Sequence, residues 1–227
     1  MRRTQAAPVI VAAFLLALCA ARPGGAAELG RPTVYADAWG GVYRGTPSAL
    51  LTEQGWALGT AVGAYFDLGQ RTGGALRATY WETSDDRTFS RRYTGVDALL
   101  GPRLGDWRLL LGLSVLDRRD FSGEQGGGWG WRIGVAGERV LRRVVAGGGV
   151  YLTPTMLLRR WSGGSELAPA RAAALEGEFY LVIPLGGAWA VRGGYRGFHL
   201  LIEDADDAGG GRREVGQGLF LGATARF

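Results

Sequence analysis

The sequence predicts an all-β chain: an antiparallel transmembrane β-barrel of about ten strands, preceded by a cleaved signal peptide. Three observations predict it. In the last residues, Leu219, Leu221, Ala223, Ala225 and Phe227 fall on one face, while Phe220, Gly222, Thr224 and Arg226 fall on the other. A period of two is a strand, and an apolar strand that stops on an aromatic is how a membrane barrel closes. Further segments with the same period fill the chain from Thr33 onward. The connections between them alternate long and short, as a barrel with both termini on one side requires.

The amino-terminal end reads as an export leader. Arg2 and Arg3 precede the apolar run Pro8 to Cys19, and Gly25, Ala26 and Ala27 offer a small-residue cleavage site. The run is shorter than the ~20 residues a spanning helix needs. The expected division is therefore residues 1–27 as signal peptide and 28–227 as barrel domain. The sole cysteine, Cys19, lies in the leader, so the mature domain is expected to carry no disulfide and no thiol chemistry.

Of the 26 basic residues, all arginine, Arg2, Arg3 and Arg22 belong to the leader, and the remainder nearly balance 21 acidic residues. The basic isoelectric point is thus no sign of nucleic-acid binding. Forty glycines beside eight Trp, eight Tyr and eight Phe oppose disorder. They fit a narrow barrel in which small inward residues leave room for large neighbours.

The segments follow in order. Thr33 to Arg44 is the faintest. Gly55 to Asp67 places Trp56, Leu58, Val62, Ala64 and Phe66 on one face. Gly74 to Thr83 and Arg92 to Leu100 come next, then Trp107 to Leu116, with Trp107, Leu109, Leu111, Leu113 and Val115 aligned. In the sixth segment Trp129, Trp131, Ile133 and Val135 alternate with Gly130, Arg132, Gly134, Ala136 and Glu138. Val144 to Thr153, Ala173 to Ile183, Ala188 to Leu201 and Glu214 to Phe227 complete the series. Eight or twelve strands stay open, because Thr33–Arg44 and Pro154–Ala172 can each be read two ways. Long connections are expected at Gly45–Gln54, Ser84–Arg91, Asp117–Gly127, Pro154–Ala172 and Glu203–Arg213. Short ones are expected at Leu68–Gly73, Gly101–Asp106, Val140–Arg143 and Pro184–Gly187.

Aromatic residues suggest two interfacial girdles. Phe66, Trp107, Trp189 and Phe227 would mark the periplasmic side, and Tyr43, Trp56, Tyr80, Tyr93, Trp129 and Tyr151 the outer side. The inward faces carry Arg77, Asp97, Arg108, Arg132, Glu138, Glu176, Glu178, Arg192, Arg196 and Arg226. Paired across a narrow lumen these side chains would offset one another's desolvation. Their interleaved signs favour a salt-bridged plug over a charged passage for small solutes.

Other constellations offer less. His199, the single histidine, precedes the acidic run Glu203 to Asp207, so a histidine–acid pair for hydrolysis is conceivable. Its parity with Trp189, Val191 and Tyr195 places it on the lipid side instead. The acidic run lacks the ligand spacing of a calcium loop, and the glycine runs lead into no phosphate-binding helix. No catalytic residue, cofactor or metal site is expected. Arg91, Arg92, Arg118, Arg119, Arg159 and Arg160 read as loop positions that would either pair with lipid phosphates or be solvated.

The chain resembles small Gram-negative outer-membrane barrels, most nearly the YfaZ-like family of outer-membrane proteins. The residues behind the resemblance are Gly194-Tyr195-Arg196, Phe198 and His199, the acidic loop, Gly218-Leu219-Phe220-Leu221-Gly222 and Phe227. The resemblance implies a barrel with a porin-like role and transfers no catalytic residue.

The expected protein is thus a non-enzymatic outer-membrane barrel of a Gram-negative bacterium, either structural or a narrow channel. Its expected partners are outer-membrane lipid, lipopolysaccharide, and the barrel-assembly machinery, engaged through Leu219, Leu221 and Phe227. An outer-membrane lipid-modifying hydrolase using His199 and a secreted soluble β-sandwich binding protein are the alternatives.

Overall fold

A computed structural model of the chain describes residues 32–48, 51–69, 71–85, 89–120, 123–203 and 211–226. The expected leader, Phe227 and most of the acidic run lie outside these residues. The described elements are ten strands: β1 (Thr33–Ser48), β2 (Leu51–Leu68), β3 (Thr72–Asp85), β4 (Phe89–Leu104), β5 (Trp107–Asp120), β6 (Gln125–Leu141), β7 (Val144–Ser162), β8 (Ser165–Gly186), β9 (Trp189–Glu203) and β10 (Arg212–Arg226). Each pairs antiparallel with its chain neighbours, and β1 closes the ring on β10 in the register Thr33↔Arg226 through Thr46↔Arg213. Closure removes every sheet edge. The faint first segment is a full member of the ring, which settles the strand number.

The faces are inverted relative to a soluble protein. Outward-pointing side chains on β5 are Trp107, Leu109, Leu111, Leu113 and Val115, all exposed, and the same wall continues through Trp129, Trp131, Ile133 and Val135 of β6. Leu219 and Leu221 of β10 are 71% and 67% exposed. Along β5 this apolar stretch ends where Asp117 and Arg119 begin. Nine or so residues is the length a tilted strand needs to cross a bilayer core. Inside lies the polar and aromatic filling, with Arg132, Arg192 and Glu214 among the most buried side chains. A β-sandwich would pack the Trp107 and Trp129 faces against another layer; here both face outward from one ring.

Strands at the end away from the termini outrun their expected limits. The segment Pro154–Ala172, expected as a long loop, is mostly strand, with β7 and β8 joined only at Gly163 and Gly164, both at positive φ. Two irregularities let the paired strands accommodate their prolines. The register shifts in β7 between Thr153 and Met156, and in the β7–β8 pairing between Leu158 and Arg160. Pro154 and Pro169 sit at these places, where a ladder can spare an N–H. The first shift also exchanges the faces of β7: Val150 and Leu152 point out, whereas Met156 and Leu158 point in. The expected long connections Gly45–Gln54, Ser84–Arg91 and Asp117–Gly127 shrink too, because β1, β4 and β5 run on past the apolar band.

If the outer wall meets hydrocarbon, an arginine at its middle must carry a charge into lipid. Leu111→Arg is expected to destabilise the vesicle-inserted barrel by about 2–4 kcal/mol, read by urea unfolding. An unchanged midpoint would contradict the lipid-facing assignment.

Candidate functional site

The lumen is the candidate site, and its chemistry is layered along the barrel axis. At the end with the chain termini, Asp67 of β2 accepts from Arg103 Nη1 at 2.8 Å and from Arg108 Nη2 at 3.2 Å. The Tyr180 hydroxyl donates to Glu138 Oε1 at 2.7 Å. Around these residues opens a cavity of ~340 Å³ that reaches inward to Tyr35, Tyr65 and Arg192. Arg226 stands exposed at its rim.

Above the cavity two charge-balanced quartets span the lumen. In the first, Arg192 reaches Asp37 Oδ2 at 3.2 Å and Glu178 Oε1 at 3.0 Å. Arg196 reaches the other oxygens of the same two acids, Asp37 Oδ1 at 2.9 Å and Glu178 Oε2 at 2.8 Å. Each planar guanidinium thus bridges two carboxylates, a geometry lysine could not copy. Tyr35 and Tyr180 stack on Arg192, 4.2 and 4.0 Å from the ring centres to its guanidinium carbon. In the second quartet Arg77 donates to Asp97 Oδ2 at 2.8 Å and also to Glu176. Arg132 pairs with Glu176 Oε1 at 3.1 Å and stands 3.7 Å from Asp97 Oδ1. Tyr151 lies beneath both Arg77 and Arg132. Tyr65 joins the quartets: its hydroxyl donates to Glu178 at 3.1 Å and lies 3.3 Å from the Tyr151 hydroxyl.

Next comes an aromatic layer. Trp81 stacks on Tyr93 at 3.5 Å and meets Phe198 at 3.9 Å, and Trp39, Met156, Leu200 and Phe220 pack around them. A second charged layer caps it. Arg91 pairs with Glu53 at 2.9 Å, Asp120 at 3.3 Å and Glu214 at 3.5 Å. Tyr93 donates to Glu214, and Arg118 reaches Asp120 and Glu124.

Of the lumen residues expected from the sequence, Arg77, Asp97, Arg132, Glu176, Glu178, Arg192 and Arg196 therefore come together. Arg108 and Glu138 belong to the lower rim, and Arg226 joins no described ion pair. Sequence reasoning missed Asp37, which completes the first quartet, although it alternates with Tyr35 and Trp39 on the inward face. It missed the outer charged layer as well. Arg91 and Arg118, expected in loops, lie in β4 and β5 with their side chains buried in the lumen. Tyr43, Tyr93 and Tyr151, expected in the outer girdle, also point inward and are buried; Trp56, Tyr80 and Trp129 do face outward. His199 falls on the outward parity of β9 with Tyr195, opposite Leu175 and Val215 of the flanking strands. Its Nε2 has no hydrogen-bond partner among the described residues.

No family model and no curated protein matches the chain in sequence. Solved structures match in shape. Outer membrane protease OmpT from Escherichia coli aligns with a TM-score of 0.51 at 8% identity, over 90% of this chain and 99% of that one. The translocator domain of autotransporter NalP from Neisseria meningitidis aligns at 0.45 and 13% identity, over 99% and 97%. Neisserial surface protein A aligns at 0.42 and 14% identity, over 86% and 97%. At these identities the likeness concerns the fold alone, and that fold is the outer-membrane β-barrel.

Breaking a buried pair leaves its partner's charge stranded. Asp37→Ala and Arg196→Ala are each expected to cost about 3–5 kcal/mol, read by unfolding in detergent micelles. The double variant should cost well under the sum. Strict additivity would show that the pair is not coupled.

Proposed function

We propose that this chain is a sealed, non-enzymatic barrel of the Gram-negative outer membrane, structural rather than a solute channel. The observation that supports this reading best is the pair of quartets. Arginines and acids from β1, β3, β4, β6, β8 and β9 meet across the lumen with their charges balanced, and an aromatic layer lies directly above. A ten-stranded ring is only slightly wider than one its own side chains fill. A permeant ion would have to separate carboxylates from guanidinium groups in a low-dielectric interior, and a pore lined by one sign of charge would not present that barrier. The position of His199 on the outward face, with hydrophobic neighbours across both strands, argues against a rim hydrolase.

With its termini toward the periplasm, the barrel turns the long β7–β8 hairpin outward. Above the apolar band Arg44, Arg92, Arg119, Arg159, Arg171 and Arg213 occupy outward positions around the ring, against Glu82, Asp117, Glu166 and Glu203. This collar is placed to meet the phosphates of lipopolysaccharide. Leu219 and Leu221 of the closing strand, with the final aromatic, are the surface offered to the barrel-assembly machinery.

Planar-bilayer recording tests the reading. The wild-type protein is expected to give no steady current above the empty bilayer. Asp37→Ala/Arg196→Ala, which removes two crossing side chains without changing net charge, should stay closed as well, because the second quartet and the aromatic layer are left in place. Steady wild-type conductance would replace the sealed barrel with a channel. In the same preparations, replacing the six collar arginines by glutamine should reduce co-purified lipopolysaccharide, and undiminished lipopolysaccharide would remove the collar's role.

A further inference from the structure

We propose that the outer wall carries a binding groove for one anionic glycerophospholipid of the periplasmic leaflet. The groove, of ~420 Å³, crosses β6, β7 and β8 near the periplasmic end. Its floor is low because Gly148 carries no side chain and Ala146 only a methyl, while Gly137, paired with Gly148 across β6–β7, makes room for the first wall. Its walls are two outward aromatic rings. Trp107 lies over Gly137, where a Cβ would come within 2.6 Å of the indole, and Phe179 stands opposite Gly148 on β8. Val135 and Val150 close the upper end. Neighbouring strands are ~4.8 Å apart, so a trough about two strands wide admits an acyl chain lying along β7.

Charge selects the headgroup. Arg139 lines the lower mouth of the groove, and Arg142 and Arg143 form the adjoining β6–β7 turn. None of the three joins an ion pair among the described residues, and all three are exposed. The acid facing them is Asp106; Glu138 and Glu178 belong to inward positions, on hydrogen bonds and ion pairs of the lumen. Apolar contact alone selects nothing in a bilayer, because lipid tails are as apolar as the wall. Selection must come from the fit of one chain between the two rings and from a phosphodiester held by arginines.

The proposal rests on the membrane-spanning reading of the outer wall, which fails separately if the protein stays soluble without detergent. Its own test is native mass spectrometry of the full barrel in detergent, titrated with palmitoyl-oleoyl phosphatidylglycerol or the matching phosphatidylcholine. Folding of each variant is checked by heat-modifiable gel mobility. One phosphatidylglycerol should be retained at about tenfold lower concentration than phosphatidylcholine. Arg139→Gln/Arg142→Gln/Arg143→Gln should abolish that preference, and Ala146→Phe, which fills the groove floor from an outward position, should weaken retention of both lipids. Equal retention of the two lipids by the wild type, a preference that survives the triple substitution, or retention unaffected by Ala146→Phe would overturn it.

Discussion

Every guanidinium that enters this lumen must find a carboxylate there, and that requirement organises the rest of the barrel. Asp37, Glu178, Arg192 and Arg196 share four short contacts, and no member can leave without stranding another in a medium that does not solvate it. The four come from β1, β8 and β9, so pairing also fixes how those strands meet. Because β1 must also close on β10, the first quartet sits beside the seam of the ring and ties that seam to β8 and β9. The second quartet does the same for β3, β4, β6 and β8. Glu176 and Glu178, two residues apart on one face of β8, make that strand the shared member of both.

The same crowding explains the glycines. A cross-section holding arginines in two layers and rings stacked against them has no room for a second side chain beside each ring. A Cβ on Gly63 would come within 2.4 Å of Tyr35, one on Gly147 within 2.5 Å of Tyr180, and one on Gly134 within 2.5 Å of Tyr151. The bare positions are the complement of the bulky ones across the ladder. On the outside the logic reverses: apolar side chains meet lipid that neither attracts nor repels them, and the features that differ from that background are the arginines at each end. Interior pairing ties the strands to one another, whereas the exterior arginines are the groups on which the proposed lipid contacts depend.

Strand existence was legible in the sequence, because one face of every strand is apolar over the membrane-crossing stretch and period two shows wherever the faces differ. The strand limits were not legible beyond it. In Arg91, Arg118 and the β7–β8 extension both faces carry polar residues, the alternation of hydrophobicity disappears, and arginine-rich strand looks like loop. The shift near Pro154 also exchanges inward and outward positions, so parity counted from Val144 misplaces Met156 and Leu158. Seven lumen charges were legible from parity alone. Their partners were not: Asp37 meets Arg192 and Arg196 over the closing strand β10, and Tyr93 meets Glu214 across the ring, both from more than half the chain away. Tyr151 could have been placed inward, since it shares parity with Gly147 and Gly149; the preference of tyrosine for interfaces outweighed that signal.

The central claim is that the quartets seal the lumen against water-borne solutes from both sides. Residues 28–227 contain no cysteine and Cys19→Ser removes the one before them, so a single thiol reports cleanly. Ser114 is buried in the lumen and pairs across the ladder with Asp97, at the level of the second quartet. Ser114→Cys in the vesicle-inserted barrel should resist a small charged methanethiosulfonate added to either side, while Ala188→Cys at the periplasmic rim reacts within minutes. Rapid labelling of Cys at position 114 in the folded barrel would contradict the sealed lumen.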